Sequence, residues 1–100
     1  MASFPGGSAW AMAKDVAEGF LLVTERTFAR FDRPQLDQLA FEMDRALREI
    51  RGEAVALDDL AAIKLKNRKL SRLTGALSML KGFIQRRFRH GDRPTFDGNA

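Results

Sequence analysis

The chain has no cysteine and no tyrosine, one tryptophan and one histidine, and between Leu60 and Gly91 it has no aspartate or glutamate. Without cysteine there is no disulfide, no thiolate metal site and no cysteine nucleophile. Long apolar runs are missing too. The longest strongly apolar window, Leu73 to Ile84, is interrupted by Lys81 and is well short of the roughly 20 residues a membrane span needs. Met1 to Trp10 has neither the basic n-region nor the apolar h-region of a secretory signal. The expectation is a soluble, cytoplasmic protein.

Residues for catalysis are equally scarce. His90 falls at the end of an expected helix, where a cationic imidazole complements the dipole. Glu42 and Glu49 share a helix face, but the Glu-x-x-His pairs of di-iron bundles are absent. Ser8, Ser71 and Ser78 have no evident base, and "FPGGSAW" near the N-terminus lacks the lysine of a phosphate-binding loop. The expectation is therefore no enzyme: no catalytic residue, no metal ligand and no cofactor. No stretch matches a family pattern well enough to name one.

What is present suits one small helical domain. At 100 residues with 45% hydrophobic side chains, the chain folds around a thin core, and oligomerisation to a homodimer or larger assembly is expected. The net charge of +4 conceals a division. Residues 1–59 carry 7 basic and 11 acidic side chains, whereas residues 60–91 carry 9 Lys or Arg and no acid. Segregation of this kind points to a polyanion or an acidic protein surface as partner.

Three helices are expected. The first runs from about Ser8, its N-cap, to Arg30, with Phe20, Val23, Thr24, Thr27, Phe28 and Phe31 at helical spacing. Gly19 weakens it, and a strand over "FLLVTERTF" is the alternative, although it would have no partner strand. The second starts at "DRPQLDQL", capped by Asp32 or Arg33 with Pro34 in the first turn. Leu36, Leu39, Ala40, Met43, Leu47 and Ile50 form its apolar stripe, and Gly52 stops it. The third starts at a cap on Asp58 and continues to His90, about 48 Å at 1.5 Å per residue. It outruns the other two, so part of it projects or packs on another molecule. Its seam is Ile63, Leu70, Leu73, Leu77, Leu80 and Ile84, with Lys66 and Arg87 interrupting it. Asn67, at the edge of the seam, reads as a register-setting residue.

The resulting fold class is all-α: a small helical bundle with an antiparallel helix hairpin and a long basic C-terminal helix. Residues 1–7 form a flexible N-terminal arm, 8–91 a single helical domain and 92–100 a tail. In the arm and just past it, Phe4 and Trp10 cover the core or dock on a neighbour. An internal echo joins "RTFARFDRPQLD" at 26–37 to "RRFRHGDRPTFD" at 86–97, identical at six of twelve positions. Each has a basic helix end, a turn and Asp-Arg-Pro.

Two glycines, Gly75 and Gly82, stand inside the third helix, where each costs about 1 kcal/mol relative to alanine. On a helical wheel they join Ser71 and Ser78 in a strip of small residues opposite the seam, flanked by Lys64, Arg68, Arg86 and Arg89. A strip of this kind lets another backbone approach. Two functions follow as expectations. The leading one is a non-catalytic nucleic-acid-binding protein whose Lys64, Lys66, Arg68, Lys69, Arg72, Arg86, Arg87 and Arg89 contact phosphates of DNA or RNA. The alternative is a helical adaptor or assembly subunit that oligomerises or binds an acidic protein, with Ser71, Gly75, Ser78 and Gly82 as the helix-crossing interface.

Overall fold

The computed structural model describes residues 3–88, and within them four α-helices and no strand. They are α1 (Ala9–Glu18), α2 (Glu25–Ala29), α3 (Arg33–Arg51) and α4 (Leu60–Arg87). Arg89, His90 and the second half of the Asp-Arg-Pro echo lie outside the described residues, as does the 92–100 tail.

The all-α expectation holds, but the single first helix from Ser8 to Arg30 does not. Ser8 does cap α1, accepting a hydrogen bond from the Ala11 amide at 3.0 Å. The helix then stops at Gly19, whose φ of 84° lies in the left-handed region open to glycine at little cost. The amides of Gly19 and Phe20 donate to the carbonyls of Val16 and Asp15 at 3.1 and 2.9 Å. This is the paired closure of a Schellman motif. Residues 21–24 are neither helix nor strand. Thr24 and Thr27 then open α2 with a reciprocal capping box. Helical spacing on both sides of Gly19 had suggested continuity, yet two local devices, a left-handed stop and a fresh cap, outweigh it.

α3 follows its sequence signals closely. Asp32 accepts from the Gln35 amide at 2.9 Å while the Gln35 side chain accepts from the Asp32 amide at 3.0 Å. Leu36, Leu39, Met43, Ala46, Leu47 and Ile50 are buried along one face. α4 begins one residue later than expected: Asp59, rather than Asp58, caps it by accepting from the Ala62 amide at 3.0 Å.

The core is assembled from all four helices. Met12, Ala13 and Val16 of α1 meet Leu36, Leu39 and Met43 of α3 and Leu73, Ala76 and Leu80 of α4, with Phe28 fully buried among them. Of the expected seam, Leu73, Leu77 and Leu80 are buried, and Ile63, Leu70 and Ile84 are half-buried. Asn67 is exposed, so it sets no register within this chain. Phe4 packs on the core with its ring 5.0 Å from that of Phe31, while Trp10 stays exposed, with the Lys14 ammonium 5.4 Å from its ring centre. No charged or polar side chain is buried among the described residues.

The candidate interaction face of α4

α4 meets three other helices at their C-terminal ends, and at each end one of its cations does the joining. The last carbonyls of a helix have no intrahelical donor and carry the negative end of the dipole, so a cation placed there satisfies both. Arg72 Nη1 donates to the Ala17 carbonyl at the end of α1, at 3.0 Å. Beside it, Lys69 pairs with Glu18 at 3.1 Å. Lys66 Nζ donates to the carbonyls of Arg51 and Glu53 at the end of α3, at 3.2 and 2.8 Å. Arg87 Nη1 donates to the carbonyl of Phe31, just past α2, at 2.9 Å, and lies 3.5 Å from that of Ala29. Arg86 pairs with Glu25 at the start of α2.

The eight cations read as phosphate contacts therefore divide. Lys66, Lys69, Arg72, Arg86 and Arg87 are held by the chain's own carbonyls and carboxylates. Lys64 and Arg68 are exposed and make no hydrogen bond or ion pair among the described residues. Arg89 lies outside those residues. The two cations that interrupt the seam, Lys66 and Arg87, interrupt it because they reach across to neighbouring helix ends. Arg87 and Arg33 also lie over the Phe88 ring, at 5.1 and 4.9 Å from its centre. These contacts set the N-terminal end of α3 by the C-terminal end of α4, and Lys66 holds the opposite ends together.

The strip of small residues faces away from the core. Ser71, Gly75 and Ser78 are exposed, and Gly82 is half-covered. A Cβ built on Gly75 would meet nothing within 4 Å, and one on Gly82 would meet only the Arg86 guanidinium, at 3.2 Å. Among the described residues, no element packs on the strip at Gly75. No close contact with the described residues requires a glycine at position 75.

One feature of this side of the molecule was not visible in the sequence. Phe20, placed by helical spacing on a first-helix face, is 80% exposed, and its neighbour Leu22 is 89% exposed. The only available signal was the four-residue run "FLLV" after a glycine, which reads equally as helix. No group of three or more His, Cys, Asp or Glu is placed to hold a metal ion among the described residues, and none of their helices is long and apolar enough to cross a membrane. No protein-family model matches the sequence, and no curated protein or solved structure matches it.

Proposed function

We propose that the protein is a non-catalytic helical adaptor or assembly subunit, built as an antiparallel α3–α4 hairpin with α1 packed on it, that docks other protein through α4. The observation that carries this reading is Gly75. It sits mid-helix, exposed, in open space, where alanine would be more favourable by about 1 kcal/mol for the helix alone. A bare backbone there serves something outside the chain. The placement of the cations supports the same reading. Most of the charge that suggested a polyanion is engaged at the ends of α1, α2 and α3.

The nucleic-acid reading keeps one specific observation in its favour, the outward and unpartnered Lys64 and Arg68. It has a measurable signature. Two phosphate contacts give a slope of about −2 for log K against log salt on duplex DNA, whereas eight give about −7. A slope near −7 would require the five inward cations to leave their intrachain partners.

Photo-crosslinking in cells that express the protein tests the docking face. A photoreactive residue is placed at Ser78 and, as a control, at Gln38 on the exposed side of α3. Discrete protein adducts from position 78 alone are expected. Equal labelling from both positions, or adducts that nuclease removes, would overturn the proposal.

A further inference from the structure

The most exposed of the large apolar side chains are not scattered. The four most exposed are Leu57 at 92%, Leu22 at 89%, Phe20 at 80% and Leu60 at 66%. They form two pairs, and the pairs differ in charge. Leu57 and Leu60 both lie in "EAVALDDL", residues 53–60, which has three acids and no base. Glu53, Asp58 and Asp59 make no ion pair among the described residues; Asp59 caps α4, and Lys66 touches only the backbone at Glu53. Phe20 and Leu22 lie beside the basic helix.

Their position there follows from two anchors. Arg72 binds Ala17 and sits against Gly19, and Arg86 binds Glu25. Positions 72 and 86 are two heptads apart, on one side of α4 and about 21 Å along it. Residues 19–25 span a similar distance when extended, at about 3.3 Å per residue. The segment therefore runs alongside α4 from Arg72 to Arg86, passing Met79, itself 39% exposed. Leu21 packs on the core and Val23 is buried, so the alternation turns Phe20 and Leu22 outward. The Schellman closure at Gly19 does not need this. The apolar contact that often accompanies it would join Phe20 to Asp15, which is polar. Arg68, one turn before Arg72, and Arg26, in α2, are exposed and without partners among the described residues, near the two ends of the ridge.

We infer that the occupant of the Phe20–Leu22–Met79 ridge is the acidic, apolar segment 53–60 of a second copy of this chain. Apolar surface is matched with apolar surface, and Glu53, Asp58 and Asp59 with Arg68 and Arg26. Leu65, 46% exposed and one heptad before Arg72, continues the ridge along the same flank of α4. Two copies with their α4 helices antiparallel along that flank exchange segments reciprocally. Each 53–60 segment covers the other copy's ridge, and the assembly closes as a two-fold dimer with no open end. A pairing of the α4 outward faces alone would instead set cations against cations. The inference rests on the assembly reading above and names the partner for it.

Sedimentation velocity of the full chain, over a wide concentration range, tests the exchange. The wild-type chain is expected to dimerise. Leu57→Asp and Leu22→Asp should each weaken the dimer by at least about tenfold, the loss of one buried apolar anchor per contact. Both positions are almost fully exposed, so circular dichroism and thermal unfolding of the variants should match the wild type. Mixing supplies the distinctive result. A dimer of one Leu57→Asp copy and one Leu22→Asp copy retains one intact contact of the two. The mixture should therefore associate more tightly than either variant alone. A chain that stays monomeric throughout, variant dimers as tight as the wild type, or a mixture no tighter than its components would each overturn the inference. If Ser78 still gives specific protein crosslinks in any of these cases, the docking face stands and only the occupant named here falls. Without those crosslinks both fall.

Discussion

At the scale of single residues, Gly19 and Gly75 look alike in sequence and do opposite things. Gly19 has a positive φ, and a Cβ there would lie 2.9 Å from Arg72 Cζ. Gly19→Ala forces a left-handed alanine, costing about 1–2 kcal/mol, and pushes Arg72 from the Ala17 carbonyl. The expected result in a denaturant titration is a loss of roughly 2–3 kcal/mol. Gly75→Ala meets no atom and removes a helix penalty, so it should raise stability by up to about 1 kcal/mol in the same titration. A gain at position 75 with a loss of docking would show that the glycine serves the surface and not the fold. In the sequence both glycines stand within a stretch of helical spacing. It could not show which one ends a helix, because that depends on φ and on an arginine fifty-three positions away.

At the scale of elements, legibility followed the caps. α3 could be read almost to the residue because Asp32, Pro34 and Gly52 mark its ends and its apolar stripe is regular. The region before it was misread because the spacing of Phe20, Val23, Thr24 and Thr27 fits a helix that the closure at Gly19 interrupts. α4 was read correctly as longer than its neighbours, and the structure shows where the excess lies. Lys66 is its most N-terminal side chain to bond another helix's end, and Leu60 to Leu65 extend past that point with Leu60 and Leu65 exposed. These first turns have few tertiary contacts to protect them. In the monomer, amide hydrogen exchange of Lys64 to Lys66 should be at least about a hundredfold faster than that of Leu73 to Leu80. Dimerisation through residues 53–60 should narrow the gap as protein concentration rises.

At the scale of the whole molecule, the division of charge along the chain is largely a folding device. A basic helix without acids is well suited to bind three helix C-termini, whose carbonyls and dipoles need cations. The asymmetry itself was plain in the sequence. Its destination was not, because the acceptors are mostly backbone carbonyls, and a count of acidic side chains does not register them. The most direct measurement of this account compares the stabilities of six single variants. Lys66→Met, Arg72→Met and Arg87→Met remove a cation from a helix end and keep most of its apolar stem. Lys64→Met, Arg68→Met and Lys81→Met remove exposed cations that make no bond among the described residues. The account expects the first three to lose about 1–2 kcal/mol each in denaturant unfolding and the last three to stay within about 0.5 kcal/mol of the wild type. Equal losses in the two sets, or losses confined to the second, would contradict it.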